Sequence, residues 1–116
     1  MMNNKYLLDK EGNPVSCSSD LMTWAKSFET IDRRVAFDTT KGVAVSTVFL
    51  GLNHNFGDGP PLLFETMVFG GTLNDEQVRY STREEAIAGH AKMVERVRQS
   101  RRFVNRVLYV LGLRTP

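Results

Sequence analysis

Between Val43 and Gly71 the chain reads VAVSTVFLGLNHNFGDGPPLLFETMVFGG, two segments rich in β-branched and aromatic residues flanking a loop of turn-forming ones. Neighbouring strands joined this way pair antiparallel. A third extended segment, Arg33 to Thr39, precedes them, so Arg33–Thr39, Val43–Leu52 and Leu62–Gly70 predict an antiparallel meander. Thr39 to Gly42 suits a hairpin connection, whereas Asn53 to Pro61 is nine residues and exceeds a minimal turn. Along the third segment Leu62, Phe64, Thr66 and Val68 point one way, and Leu63, Glu65, Met67 and Phe69 the other. Apolar residues on both faces predict a sheet covered at least partly on both sides.

The flanking segments read as helices and a small hairpin. Asp9 to Gly12 carries turn chemistry inside KYLLDKEGNPV, which predicts a hairpin over Lys5–Val15. Ser18, Ser19 and Asp20 are N-cap residues ahead of Leu21, Trp24, Ala25 and Phe28, a one-faced helical spacing over about Leu21–Glu29 in which Trp24 and Phe28 are core residues. Ser81-Thr82-Arg83-Glu84 matches a capping box with Ser81 as cap and Glu84 reaching back. Ala86, Ile87, His90, Met93, Val94 and Val97 then form the stripe that lies on the sheet, with His90 packing against it or bonding to it. Val104, Val107, Leu108 and Leu111 repeat the spacing, as a continuation or a second short helix ending near Gly112. The expected architecture is a single α+β domain over residues 1–116, with a three- to four-stranded antiparallel sheet packed on a long C-terminal and a short N-terminal helix.

Composition narrows the chemistry. The one cysteine, Cys17, allows no internal disulfide and no zinc site by itself, and its expected setting is half-buried beside a helix start. No apolar run approaches the ~20 residues that cross a bilayer, and MMNNKYLLDKEG lacks a signal peptide's apolar core, so a soluble, unexported chain without membrane contact is expected. The net charge of +2 hides a split: from Arg83 onward eight basic residues face three acidic ones, +5, which leaves −3 for residues 1–82.

Candidate functional residues concentrate in the loop. His54, with Asn53 and Asn55 beside it, is the side chain suited to proton chemistry, but no local nucleophile or carboxylate pairs with it. Gly57 and Gly59 with Asp58 can present backbone amides to an anion, yet Gly57-Asp58-Gly59-Pro60-Pro61 precedes no helix and matches no phosphate-binding fingerprint; the bland alternative is a stiff connector. Glu65 falls on a partly apolar face, where it either pairs with Arg33, Arg34 or an arginine of the last helix, or lines a pocket. Arg98, Arg101 and Arg102 share a helix side while Arg96 and Arg106 point elsewhere, a diffuse basic band that offers phosphate contacts. It serves equally as a solvated helix end or as a partner for the acidic part of another copy. Neither a catalytic pair, nor a metal-ligand set, nor a cofactor motif is expected.

The segments DLMTWAKSFET, DRRVAF, STVFLGLNHNF, PPLLFETMVFGG and RYSTREEAIAGHAKMVERV resemble a family of short uncharacterised proteins of tailed bacteriophages and prophages, over roughly residues 5–98. Asn53 stands where that family carries an acidic residue before the histidine, which removes a potential orienting group or metal ligand for His54. The tail after Arg101 lies outside the resemblance. It implies an accessory protein in a host bacterial cytoplasm, acting without catalysis by binding a host protein, such as a defence factor, or a small nucleotide-type ligand. Its contact residues would be Asn53, His54, Asn55, Asp58 and Glu65. Self-association into a homodimer is a further expectation. The alternative is nucleic-acid binding through Arg98, Arg101, Arg102 and Arg106; enzymatic function ranks third.

Overall fold

The computed structural model describes residues 4–113 and has the α+β architecture expected. A small hairpin of β1 (Tyr6–Leu8) and β2 (Pro14–Ser16) is followed by helix α1 (Leu21–Glu29). A four-stranded antiparallel meander follows, β3 (Arg34–Thr40), β4 (Val43–Phe49), β5 (Phe64–Phe69) and β6 (Gln77–Tyr80), in spatial order β3-β4-β5-β6. Helix α2 (Arg83–Val110) closes the chain.

β3 and β4 are joined by two residues only. Thr40 pairs with Val43, and Lys41 and Gly42 both take positive φ, 45° and 84°, as the tightest hairpin turns require. The fourth strand was not delimited by the sequence pattern. It forms because the 70–76 turn returns the chain beside β5, with Gly70 donating to Asn74 Oδ1 at 2.6 Å.

The capping box starts one residue later than Ser81 and Glu84 suggest. Thr82 is the N-cap, its Oγ1 accepting from the Glu85 amide at 3.1 Å while Glu85 Oε1 accepts from the Thr82 amide at 3.0 Å. Both Ser-x-x-Glu and Thr-x-x-Glu satisfy the motif; Tyr80 still pairs with Phe64, so Ser81 is spent leaving the strand. The helix then turns Ala86, His90, Met93, Val94 and Val97 onto the sheet, and Ile87, 52% exposed, faces away from it.

The core lies on one side of the sheet. Val43, Val45 and Val68 meet Met93, Val94 and Val97; nearer the start of α2, Phe49, Leu63, Phe64 and Ala86 gather Tyr6, Leu8 and Phe28 around them. Trp24 stacks on Phe28 with ring centroids 4.9 Å apart, and its Nε1 donates to the Tyr6 carbonyl at 2.9 Å, fastening α1 to β1. Gly51 is required beneath this pair: its φ is +77°, and a Cβ there would lie 2.4 Å from the Phe28 ring.

The other face corrects the expectation of a sheet covered on both sides. Glu65, Met67 and Phe69 share it with Ala44, Ser46, Val48 and Phe37 by strand register, and Phe69 and Phe37 stay 48% and 44% exposed. Helix α2 and Phe28 of α1 pack on the opposite face, and Leu63, which the alternation placed on this one, is drawn into the core with Tyr6 and Leu8.

Helix α2 is one continuous element of 28 residues, about 42 Å long at ~1.5 Å per residue. It outruns the sheet after Val97, the last residue buried in the core, and gives the protein extents of 60 × 30 × 22 Å. No helix of the described residues is long and apolar enough to cross a membrane.

Candidate functional site

The 53–61 loop grows from a frame of backbone hydrogen bonds. The Leu50 and His54 amides donate to Leu63 and Leu62, Asn53 donates to Asn4, and Tyr6 donates to Gly51, so both stems are pinned to neighbouring segments. The two asparagines then hold the loop from inside. Asn53 Oδ1 accepts from the amides of Asn55 (2.7 Å) and Leu62 (3.0 Å), closing the stem. Asn55 Nδ2 donates to the carbonyls of Asp58 (3.2 Å) and Pro60 (2.9 Å), and its Oδ1 accepts from Gly57 (3.0 Å). Side chains that meet backbone groups this way stiffen a loop as a backbone turn would.

This bracing consumes much of the chemistry that the sequence placed there. Asn53 Oδ1 and both ends of the Asn55 side chain are occupied internally, and the Gly57 amide that might have met an anion is taken by Asn55. His54 is half-buried and donates from Nδ1 to the Leu52 carbonyl at 2.8 Å, which orients the ring. The Asp58 side chain is exposed at the tip.

The residue left outward is Phe56. It is 92% exposed beside His54, ring centroids 6.4 Å apart, with Gly57, Asp58 and Gly59 also exposed around it. Sequence reasoning passed over Phe56 because it belongs to no strand alternation and no helical stripe. That isolation, an aromatic between asparagine and glycine inside a turn-rich stretch, was the available signal.

Glu65 does not join the loop. It sits on the open face of the sheet and accepts from Arg79 Nε at 2.9 Å, directly across in the β5–β6 register. Arg79 thus replaces the partners expected among Arg33, Arg34 and the last helix. Arg33 instead lies over the Phe28 ring and Arg34 over Phe37, at 5.0 and 4.4 Å to the centroids. No hydrogen bond links Glu65 to His54.

A second polar arrangement lies beneath α2. His90, 5% exposed, bonds through Nε2 to Asp38 Oδ2 and through Nδ1 to Thr47 Oγ1, both at 2.7 Å. Thr47 meets Thr66 Oγ1 at 2.5 Å, and the Tyr80 hydroxyl donates to Thr66 at 3.2 Å. With the Asp38 carboxylate accepting from Nε2–H, each hydroxyl in the chain Tyr80, Thr66, Thr47 donates once toward His90, and every member is satisfied. The order Asp-His-Thr resembles a nucleophilic triad, but Thr47 and Thr66 are 0% exposed, so no substrate reaches either hydroxyl. The chain is a structural tie joining α2 to all four strands, as the helical placement of His90 against the sheet anticipated.

The arginines sort differently from the sequence reading. In one continuous helix Arg98, Arg102 and Arg106 fall at i, i+4 and i+8, a single row on the exposed side, with Arg102 3.7 Å from Glu95. Arg101 turns away from that row toward the 70–73 turn, where its Nε is buried. Arg96 pairs with Glu76 at 2.8 Å.

Among the described residues no three His, Cys, Asp or Glu side chains gather as metal ligands would. A shallow groove of about 460 Å³ between β6 and α2, lined by Val78, Tyr80, Gly89 and Lys92 among others, is separate from the loop. No family model, no curated protein and no solved structure matches this chain.

Proposed function

We propose that this chain is a non-enzymatic binding protein whose 53–61 loop docks a protein partner through Phe56. The observation that carries this is the 92% exposure of Phe56 on a loop already braced by Asn53 and Asn55. Burying such a ring contributes about 1.5–3 kcal/mol, and a loop held in shape before contact loses little further entropy on binding. Aromatic residues, phenylalanine among them, are enriched at the cores of protein interfaces. The internal use of the Gly57 amide, of Asn53 Oδ1 and of both ends of the Asn55 side chain favours a protein surface over a small nucleotide ligand, which needs convergent polar groups. The proposed setting, a phage accessory protein acting in a host bacterial cytoplasm, rests on the resemblance of the quoted segments alone.

The test is comparative capture from bacterial lysate by the wild-type chain and by Phe56→Ser. A partner retained by the wild type and lost with Phe56→Ser, at unchanged circular dichroism and melting temperature, supports the reading. Identical captured sets refute it. Nucleic-acid binding is a second reading, favoured by the row Arg98, Arg102 and Arg106; retention on polynucleotide that is insensitive to salt removes it.

A further inference from the structure

On one side the sheet ends in β6, and no strand pairs with its far edge among the described residues. The Val68 amide donates to the Glu76 carbonyl at 3.0 Å, and in an antiparallel ladder the residues that exchange bonds recur at every second position. With Thr66 opposite Val78 and Phe64 opposite Tyr80, the backbone groups of Val78 and Tyr80 turn toward β5, while the amides and carbonyls of Gln77 and Arg79 point outward. Among the described residues those outward groups meet no backbone partner beyond the sheet. Gln77, Val78 and Arg79 are all exposed, so the edge is open to another backbone.

We propose that β6 is a docking edge for an extended peptide of a partner protein, which adds a fifth strand and sets an acidic side chain, two positions from an apolar one, into the groove between β6 and α2. Three observations select this occupant. First, a row of outward amides and carbonyls is satisfied by extended backbone, the mode of strand addition. The opposite edge, β3, suits it less, because a bulge between Arg34 and Ala36 interrupts its ladder. Second, the groove of about 460 Å³ borders this same edge. Val78 and Tyr80 line it, and opposed residues of paired strands point to one side of a sheet, so the peptide residues opposite Val78 and Tyr80 enter the groove ~6.7 Å apart. Its floor is apolar: Val78, Met93 and the Tyr80 ring, which is seated against α2 where Gly89 has no side chain.

Third, the groove has one uncommitted charge. Glu85 is turned onto the helix cap, where its Oε1 accepts from the Ser81 and Thr82 amides, and Arg96 is paired with Glu76. Lys92, on the same wall, makes no ion pair among the described residues. A carboxylate on the incoming strand complements it, and the apolar residue lies toward Tyr80 and Gly89. A second copy of this chain does not bring that carboxylate, since the acid its own β6 end offers on this side, Glu76, is held by its own Arg96. The edge is separate from the 53–61 loop, and its test does not depend on Phe56.

Selection from a display library of random short peptides on the immobilised full chain, followed by amide hydrogen exchange with a synthetic consensus peptide, tests this. The expected sequences share an acidic residue two positions from an apolar one. In the unbound chain the Gln77 and Arg79 amides exchange freely while those of Val78 and Tyr80 are protected, and the consensus peptide slows the first two. Lys92→Glu, an exposed change that leaves the melting temperature in place, weakens that peptide about fivefold, and exchanging the peptide's acid for lysine restores binding to the variant. Gln77→Pro removes an outward N–H and no bond to β5, and weakens binding by about fivefold as well. A library that yields no shared pattern, a bound peptide that leaves the Gln77 and Arg79 amides unprotected, or indifference to Lys92→Glu overturns the proposal. So does protection of those two amides in the chain alone that rises with its concentration, which would make a second copy the occupant of the edge.

Discussion

Replacing Thr47 with valine probes the buried tie beneath α2 with almost no change of shape. The substitution exchanges the Oγ1 that lies 2.7 Å from His90 Nδ1 and 2.5 Å from Thr66 Oγ1 for a methyl group. His90 Nδ1 then loses its donor and the Thr66 hydroxyl loses its acceptor, both away from water, since His90 is 5% and Thr66 0% exposed. An orphaned buried polar group costs about 1–3 kcal/mol, so Thr47→Val should destabilise by ~2–4 kcal/mol, less the small gain from burying the added methyl. Thr66→Val breaks the same contact from the other side. It leaves Thr47 satisfied as a donor to His90, and the half-buried Tyr80 hydroxyl can turn to water. Its cost should be nearer ~1–2 kcal/mol. The double variant removes both hydroxyls and orphans only His90 Nδ1, so it should cost about as much as Thr47→Val alone, a coupling of at least ~1 kcal/mol. Urea unfolding followed by the fluorescence of Trp24, the one tryptophan, measures all three. A domain of this size loses about 4 °C in melting temperature per kcal/mol, so calorimetry gives an independent value. A loss below ~0.5 kcal/mol for Thr47→Val, or strict additivity in the double variant, would refute the one-directional chain of donors.

Gly89 sits inside α2, where alanine normally gains about 1 kcal/mol, yet a Cβ there would lie 2.2 Å from the Tyr80 ring and hydroxyl. The clash should win: Gly89→Ala is expected to destabilise by ~1 kcal/mol net and to become stabilising in a Tyr80→Ala background, a sign change that denaturation of the four proteins reads directly. At the start of α1, the backbone amide of Thr23 and then its hydroxyl hold the Asp20 carboxylate below its ordinary range. Its folded value is depressed, so the stabilisation is present above the ordinary carboxylate range and is lost as pH falls through the lower folded value; acid titration of helicity should show this limb, and Asp20→Ala should remove it.

Local patterns expressed the layers of this fold well and its pairings poorly. The stripe Ala86, His90, Met93, Val94 and Val97 and the alternation of β5 announced which faces meet, because burial by helix and sheet leaves periods of 3.6 and 2 in the sequence. β6 left no such mark. Its four residues, QVRY, alternate too briefly to register, and the strand exists because the 70–76 turn delivers it to the edge of β5. With β6 missing from the reading, the partner of Glu65 was sought among distant arginines when Arg79 stands directly across from it. The expectation of a second covered face came from Leu63, Met67 and Phe69 in the alternation of β5; Leu63 joins the core, whereas Phe69, with Phe37 beside it on β3's side of the sheet, stays half exposed.

The loop shows why site residues resist reading from composition. Asn53, His54 and Asn55 are residue types that bind ligands, and they are equally the types that satisfy the backbone of a nine-residue loop; only the geometry reveals that their hydrogen bonds point inward. The same holds for the arginines, where Arg101 is turned inward and Arg98, Arg102 and Arg106 are aligned by a helix whose continuity the sequence left open. What these internal bonds release is the telling residue in each case. Bracing the loop leaves Phe56 with no role inside the protein, and extending α2 beyond the sheet leaves Phe103, Val107 and Val110 with none. Apolar side chains held outward on ordered backbone gain nothing for folding and expose apolar surface to water, which is the observation behind the docking role proposed for Phe56.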